Sequence, residues 1–263
     1  MGIVAADILR RLDAERQTIA HEGEVLETDP PVTRLTSADG SHRVISYAEL
    51  TEANADAVID RELERHGGLD SSFEWKVYGH DPLPDLKDRL ARRGFAIGTL
   101  EVVLALDLSS PPDWLHGSDP AGEAAPALRV ERVETLEQTE IFRRVAEEVF
   151  GGDWSFTTAQ LAAGIAAGSH GHRGYVGYVG AEPVSVGRLY FHPASWFGGL
   201  YGGGTRAAFR GGGVYRAVVA ARGRDAIAAG ARYLLVDALP TSCPILLRMG
   251  FEPVGQTWAC VME

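Results

Sequence analysis

Three successive glycines flanked by arginines carry the clearest chemical signal in the chain, in the segment Arg210-Gly211-Gly212-Gly213 and the nearby Arg216. A glycine-rich extended segment precedes this turn, and an Ala- and Val-rich helical segment follows it. The N–H groups that open a helix lack intrahelical acceptors and lie at the positive end of its dipole, so a turn here can bind a phosphate. Similar glycine turns also merely cap helices, and the turn alone leaves both interpretations open.

Length and composition limit the classes of protein to consider. The 263 residues, 45% hydrophobic and 23% charged, suffice for one large domain or two ordinary ones. A net charge of −11 argues against nucleic acid as a partner and is compatible with a cationic substrate, or with solubility alone. No apolar run is long enough to span a bilayer, and the first residues lack the basic start of a signal peptide. We therefore expect a cytoplasmic protein without a membrane partner.

The hydrophobic pattern predicts alternating helices and strands along the chain. The predicted helices are 3–24, 53–66, 82–93, 136–150, 157–167, 214–229 and 244–249. The predicted strands are 44–47, 73–78, 102–108, 128–133, 175–179, 183–191, 196–205, 233–237 and 254–262. Four prolines and two glycines within residues 109–127 predict a linker at 111–127. We accordingly expect an N-terminal domain of residues 1–110 and a C-terminal domain of residues 128–263.

A weak internal repeat relates the two halves. The order strand, helix, Gly-Phe, strand occurs around Gly94-Phe95 and again around Gly250-Phe251. Two copies of a loose pattern do not establish a duplication, but they suggest two similarly built halves. Only the second half carries the glycine turn.

This order of elements resembles the GCN5-related N-acetyltransferase (GNAT) family. The cofactor signature of that family is Arg or Gln, two residues, Gly, one residue, then Gly or Ala, between a strand and a helix. Residues 210–215 fill it, except that Tyr215 replaces the final small residue. The resemblance covers residues 128–263 well and the first half only loosely, as a degenerate copy in a tandem form. It implies a mixed α/β (α+β) fold, in which helices flank a mostly antiparallel sheet.

The resemblance also implies acetyl-CoA, or another acyl-CoA, as the donor, with no metal. The turn would present N–H groups to the pyrophosphate, Arg210 would position the turn or touch phosphate, and the preceding strand end would pair with the pantetheine arm. The cofactor-binding residues expected on this basis are Thr205, Arg206, Arg210, Gly211, Gly212, Gly213, Val214 and Tyr215.

The implied reaction is the direct attack of an amine on the thioester, which requires a neutral amine. A backbone N–H within residues 203–205 could stabilise the developing oxyanion. Two family residues are missing. Leu246 stands where a Tyr often protonates the leaving thiolate, and Leu239 lies near the position of a frequent Asn. The catalytic residues stay unassigned, and the candidate bases are Glu148, Asp153, His192, Tyr201 and Asp237.

Other motifs give little support to different chemistry. His170 and His172 have no carboxylate or cysteine at ligand spacing, so we expect a loop and no metal site. Cys243 at a helix start could be a reactive thiol, but a small core residue is the better interpretation. Two cysteines cannot form a disulfide framework.

Three rival classes follow from the glycine turn. A dinucleotide-binding oxidoreductase is disfavoured because Arg216 stands where its third small residue belongs. A nucleotide triphosphatase is disfavoured because no Gly-Lys-Ser or Gly-Lys-Thr occurs. A non-catalytic acyl-CoA-binding or sensing protein on the same fold stays open because of Leu246. The identity of the amine acceptor, small molecule or peptide, and the oligomeric state stay open too.

Overall fold

The computed structural model describes residues 4–67, 71–116, 128–169 and 171–262. The chain forms two compact units, one of Met1–Ala105 with Asp237–Glu263 and one of Leu106–Val236. This division differs from the domains expected from the sequence, because the C-terminal segment packs with the first half. Most of the expected linker, residues 117–127, lies outside the described residues.

Within the described ranges, helices and strands are joined by short connections. In the first part of the chain they are α1 (Ala5–Arg16), β1 (Glu24–Asp29), β2 (Val32–Ser37), β3 (His42–Ala48), α2 (Ala55–His66), β4 (Ser72–Tyr78), α3 (Leu86–Arg92), β5 (Ala96–Ile97) and β6 (Glu101–Asp107). They continue with α4 (Asp113–His116), β7 (Leu128–Arg132), α5 (Leu136–Phe150), α6 (Ser155–Ala167), β8 (His172–Val179), β9 (Glu182–Phe191), β10 (Phe197–Thr205), α7 (Val214–Ala228), β11 (Tyr233–Ala238), α8 (Cys243–Arg248) and β12 (Glu252–Met262).

The first unit has the strand order β1-β2-β3-β4-β12-β6, with β5 also paired to β12. All of these neighbours that are described pair by pair are antiparallel except β3 and β4, which α2 connects. Trp75, Ile45, Ile59 and Leu90 are at most 1% exposed and lie at the centre of its core. Burial of each such side chain contributes roughly 1.5–3 kcal/mol to folding, so this core contributes strongly to the stability of the unit.

The Gly-Phe repeat is a repeated helix cap in this unit. Gly94 and Gly250 have φ angles of 94° and 92°, and each directly follows the last turn of its helix. Phe95 N–H donates to Leu90 O at 3.2 Å, and Phe251 N–H donates to Leu246 O at 3.1 Å. This is the bonding of a Schellman cap, which favours glycine at the left-handed position.

The second unit has the strand order β11-β10-β9-β8-β7. Its strands are antiparallel except for β10 and β11, which α7 connects. Successive side chains of a strand point to opposite faces, and on β9 a Cβ on Gly187 would meet Arg222 of α7 whereas Arg188 contacts Thr157 of α6. Helix α7 therefore covers one face and α6 the other. Each unit thus confirms the expected mixed, mostly antiparallel sheet flanked by helices.

The largest error of the sequence analysis lies near the N-terminus. The helix expected over 3–24 ends at Arg16, and residues 24–37 form the hairpin β1-β2 instead. Strand β1 is exposed or half-exposed along its whole length, so it lacks the alternation of apolar and polar residues that indicates a strand. Its sequence therefore offered no period-2 signal.

Candidate functional site

The glycine turn joins β10 to α7 as the sequence predicts. A single 3₁₀ turn, Ala207–Phe209, follows the strand, and α7 begins directly after the glycines. Gly211 and Gly213 have φ angles of 81° and 84°, in the region that side chains disfavour; a Cβ on Gly211 would meet open space, and one on Gly213 would make only an ordinary contact with Leu128 at 3.9 Å. These two glycines are therefore required by the backbone conformation and not by crowding.

The N–H groups of residues 211–216 have no acceptor among the described residues, and the first N–H of α7 to be bonded is that of Ala217, to Gly213 O at 3.0 Å. The first turn of α7 also carries no acidic side chain. Six consecutive donors at the positive end of a 15-residue helix make a site for an anion with several oxygens.

The two arginines before the turn bond to other residues of the chain. Arg210 Nε donates to Thr205 O at 3.1 Å, which closes the connection between β10 and the turn. Arg206 N–H donates to Val184 O at 2.9 Å, so it is not available to a pantetheine arm. The Arg206 side chain instead pairs with Glu148 at 2.8 Å and Glu182 at 3.2 Å. The contact of Arg210 with Thr205 is expected if Arg210 positions the turn, and both roles expected for Arg210 stay predictions.

Tyr215, the departure from the family signature, faces β10 and not the turn. A Cβ on Gly203 would lie 3.3 Å from its ring, so the strand makes room for the bulky side chain. Burial raises the pKa of Tyr215, and the nearby Arg222 guanidinium acts against that rise. The Tyr at this position therefore leaves the N–H groups of the turn unobstructed.

Strands β10 and β11 separate after a short parallel pairing. Only Phe197–Gly199 of β10 pairs with residues 233–235 of β11, whereas β10 continues to Thr205. The pairing of β10 with β9 also breaks between Tyr201 and Gly204, where Gly202 has a φ of 51°. Beyond Gly199, β10 therefore has an edge that β11 does not cover, and a bulge within it.

Arg222 of α7 lies buried behind this bulge, with 1% of its surface exposed. Its Nη1 donates to Arg188 O at 3.1 Å and Tyr201 O at 3.5 Å, and its Nε to Val218 O at 3.3 Å. No carboxylate pairs with it among the described residues. Burial lowers its pKa, since a charged guanidinium is costly away from water. The sequence analysis missed Arg222, and the only signal was a charged residue among small apolar ones in a helix.

The acidic candidate bases all have other partners. Glu148 pairs with Arg206. Asp153 accepts from Ser155 N–H and Ser155 Oγ, both at 2.8 Å, and these bonds lower its pKa. Asp237 forms an ion pair with Lys76 at 3.0 Å, and Lys76 also pairs with Glu101 at 3.1 Å. These contacts do not identify any of the three carboxylates as a catalytic base.

The two neutral candidates differ in their surroundings. His192 Nδ1 accepts from Ala194 N–H at 3.1 Å and so organises its own loop. Tyr201 is 46% exposed on β10, with its ring 4.8 Å from that of Tyr190. Leu246, at the position of the family Tyr, is fully buried, whereas Leu239 is 45% exposed.

The remaining sequence candidates are placed as follows. His172 is a buried residue of β8 and not part of a loop, whereas His170 lies outside the described residues. Cys243 is partly exposed. Over the described ranges, no cluster of three His, Cys, Asp or Glu could hold a metal ion. In the same residues, no helix is both long and apolar enough to cross a bilayer.

The described residues of the first unit contain no equivalent of the glycine turn. Its crossover helix α2 is preceded by a closed turn, in which Ala55 N–H donates to Thr51 O at 3.0 Å and Thr51 N–H donates to Asn54 Oδ1 at 2.8 Å. Asp56 adds a negative charge to its first turn. This helix start is therefore already satisfied and unsuited to a phosphate.

Comparison with known proteins identifies the fold. No family model and no curated protein matches the chain. A GCN5-related N-acetyltransferase from Kribbella flavida aligns over 100% of this chain and 96% of its own, with 16% identity and a TM-score of 0.68. One from Sphaerobacter thermophilus aligns over 98% and 91%, with 13% identity and a TM-score of 0.59. A tandem GNAT protein from the clavulanic acid biosynthesis pathway aligns over 96% and 87%, with 15% identity and a TM-score of 0.58. The chain therefore has the fold of the GCN5-related N-acetyltransferases.

Proposed function

We propose that this chain is an acyl-CoA-dependent N-acyltransferase that moves an acetyl group from acetyl-CoA to an amine. The observation that carries the proposal is the run of six N–H groups at residues 211–216, which have no acceptor among the described residues. A diphosphate offers the several charged oxygens that such a run can bind. The proteins of similar fold that are named N-acetyltransferases support the same assignment.

The uncovered edge of β10 would hold the rest of the donor. Beyond Gly199 the strand offers peptide groups to an extended, amide-containing arm, as a strand offers them to a neighbouring strand. The bulge at residues 202–203 lies further along this edge and nearer to the turn. Acetyl-CoA supplies the activated acyl group as a thioester.

Positive charge near the bulge favours the neutral, reactive form of the amine, although no carboxylate base is evident. An ammonium with a pKa of about 10 must lose its proton before it attacks. Arg222, buried behind the bulge, lowers the pKa of an ammonium beside it and stabilises negative charge that develops there. The C–N bond then forms and the C–S bond breaks. Water accepts the proton that the amine loses and supplies the one that the thiolate takes up.

The alternative is a protein that binds acyl-CoA without transferring the group. Leu246 keeps this alternative open, because a fully buried leucine cannot protonate a thiolate. The two functions differ in one measurable product, the free thiol of coenzyme A.

The test is an assay of thiol release from acetyl-CoA in the presence of a panel of amines, with the acetylated product identified by mass spectrometry. Thiol release that depends on an amine supports the transferase. Binding of acetyl-CoA without such release supports the sensor, and the absence of binding contradicts both.

A further inference from the structure

The strongest unassigned feature of the second unit is a guanidinium without a counter-ion, beside the bulge of β10. Arg188 lies on β9 directly across from Tyr201. Its Nη1 donates to Tyr190 Oη at 2.7 Å and to Thr157 Oγ1 at 3.4 Å, both neutral groups. Its Nε is buried without a partner. No carboxylate lies within 4.0 Å of it in the described part of the chain.

Arg188 is one of three arginines in the described residues that are not exposed and have no carboxylate within 4.0 Å; the other two are Arg43 and Arg222. Most arginines pair with a carboxylate, as Arg34 does with Glu62 at 2.6 Å and Arg143 with Glu147 at 2.8 Å. The chain has 36 acidic and only 25 basic residues, so a partner for Arg188 could have been supplied easily. A partly buried guanidinium with a buried, unpartnered Nε and neutral partners alone favours an anion from outside the chain.

A second cation strengthens the positive potential at the same place. Arg222 approaches from the other face of the sheet, and its Nη1 donates to the backbone carbonyl of Arg188. The two charges raise the energy of each other, and Arg188 lowers the pKa of Arg222 in addition to the larger effect of burial. An anion bound at Arg188 would relieve this repulsion.

The position of Arg188 relates it to the acyl group of the proposed donor. A Cβ on Gly202 would lie 3.2 Å from Arg188 Nε and 3.3 Å from the ring of Trp154. Arg188 and Trp154 thus lie directly over the bulge of β10. An anion bound by Arg188 would therefore lie close enough to an amine that attacks at the bulge for both groups to belong to one small molecule.

The surrounding walls are aromatic. The Trp154 and Tyr190 rings lie 5.5 Å and 5.4 Å from the Arg188 guanidinium. Tyr201 packs against Tyr190, and Phe150 stacks on Trp154 with ring centroids 5.1 Å apart. Tyr201 and Phe150 are 46% and 45% exposed, so the cluster is open to a ligand. Aromatic walls with one charged group suit a ligand that has an apolar body and one carboxylate.

We propose that the acceptor is an amino acid or a closely related amino carboxylate, with Arg188 binding its carboxylate and the aromatic cluster enclosing its side chain. This proposal rests on the proposed function. The amine nitrogen forms the new C–N bond to the acyl carbon of acetyl-CoA as the C–S bond breaks, and the carboxylate is unchanged. Arg188 offsets the negative charge of the carboxylate, which would otherwise raise the pKa of the neighbouring ammonium.

The test compares acceptors that differ only in the carboxylate, such as phenylalanine with phenethylamine and tyrosine with tyramine. We expect the wild-type kcat/KM to be about 10- to 100-fold higher for the carboxylates, since a charge-assisted hydrogen bond is lost with the group. Arg188→Met should abolish this preference mainly through KM, and Arg188→Lys should restore part of it. Arg129→Met is the matched control, because Arg129 also lies over a tyrosine ring but pairs with Glu131 at 2.8 Å.

A binding measurement keeps the two proposals separable. The thermal shift produced by each carboxylate and its decarboxylated partner is measured with coenzyme A present, in wild type and Arg188→Met. A carboxylate-specific shift that Arg188→Met loses supports the proposal even without turnover. Equal or better binding and turnover of the decarboxylated amines would overturn the amino-acid proposal but leave the transferase intact. Normal binding of acetyl-CoA by Arg188→Met is expected, whereas a wild-type protein that fails to bind it contradicts the proposed function.

Discussion

Gly203 of β10 and Arg222 of α7 are in direct contact across the packing of the helix on the strand. A Cβ built on Gly203 would lie 3.0 Å from Arg222 Nη2 and 3.3 Å from the Tyr215 ring. The glycine of the bulge, the buried cation and the residue at the end of the signature therefore form one packed unit. This contact explains why a bulky Tyr215 and a charged Arg222 are compatible with the glycine turn.

We predict that Gly203→Val destabilises the protein. The new side chain must displace Arg222 or Tyr215, and overpacking of this kind costs about 1–3 kcal/mol. Chemical denaturation measures the effect. Gly212→Ala is the control, because its methyl group would lie at 3.6 Å from Phe209 O, an ordinary contact. Equal stability of the two variants would show that the Gly203 contact is unimportant.

A second prediction distinguishes the contribution of Arg222 to protein stability from its contribution to catalysis. Arg222→Met removes three hydrogen bonds to carbonyls but also the cost of a buried charge, so we expect the free energy of unfolding to change by no more than about 1–2 kcal/mol. The loss of positive potential behind the bulge should lower kcat by about 10- to 100-fold. A variant that stays fully active per folded molecule would refute the electrostatic role of Arg222.

The ion cluster of Lys76, Glu101 and Asp237 should act on stability and not on catalysis. Asp237→Asn is expected to lower the unfolding free energy by about 1–3 kcal/mol because it leaves a half-buried ammonium with a weaker set of partners. Its kcat per folded molecule should be unchanged. A loss of kcat with wild-type stability would instead identify Asp237 as a catalytic base.

The same cluster predicts a stability loss at high pH. Burial would lower the pKa of Lys76, but Asp237 and other nearby negative charges outweigh it and raise the pKa above the ordinary 10.5. A pKa that is higher in the folded than in the unfolded state gives stability that is complete below pH 10.5 and is lost as the pH rises above it. The test is the unfolding free energy of wild type and Lys76→Met, measured by denaturation between pH 8 and roughly 11.5. The same pH dependence in both proteins would contradict the prediction.

The two cysteines should differ sharply in reactivity. Cys260 is fully buried, and burial with the charge of Glu74 raises the pKa of its thiol to about 12, whereas Cys243 is partly exposed. We expect one thiol to react with a disulfide reagent at pH 8 in the native state and two after denaturation, with Cys260 at least about 100-fold slower in the native state. Rapid labelling of both in native protein would contradict the packing around β12.

Much of this fold could be predicted from the sequence where elements have strong local signals. Helix α5 matches its predicted range of 136–150, because Thr135 and Gln138 form a capping box and the helix is amphipathic. The hairpin β1-β2 could not be predicted, since β1 is exposed or half-exposed and neither strand alternates clearly between apolar and polar residues. Pairing of β12 with β4 and β6 likewise depends on residues far apart in the chain, which local patterns do not relate.

The site divides in the same way. The glycine turn was predictable because consecutive residues of the sequence determine both its positive φ angles and the start of the helix. Arg188 and Arg222 were not, because each meets the bulge only once β9, β10 and α7 have packed together. An arginine in a helix or strand ordinarily indicates a solvent-exposed face, and only its burial against glycines and carbonyls identifies another role.

The most direct test of the central proposal is calorimetric titration of coenzyme A into wild type, Gly213→Val and Gly230→Val. Gly213 and Gly230 have φ angles of 84° and 88°, and a Cβ at either would meet no atom closer than an ordinary contact, so each valine introduces similar backbone strain at opposite ends of α7, about 25 Å apart. We predict binding by wild type and Gly230→Val, and at least about 10-fold weaker binding by Gly213→Val. Equal affinity of all three proteins, or no binding by wild type, would contradict the assignment of the turn as the diphosphate site.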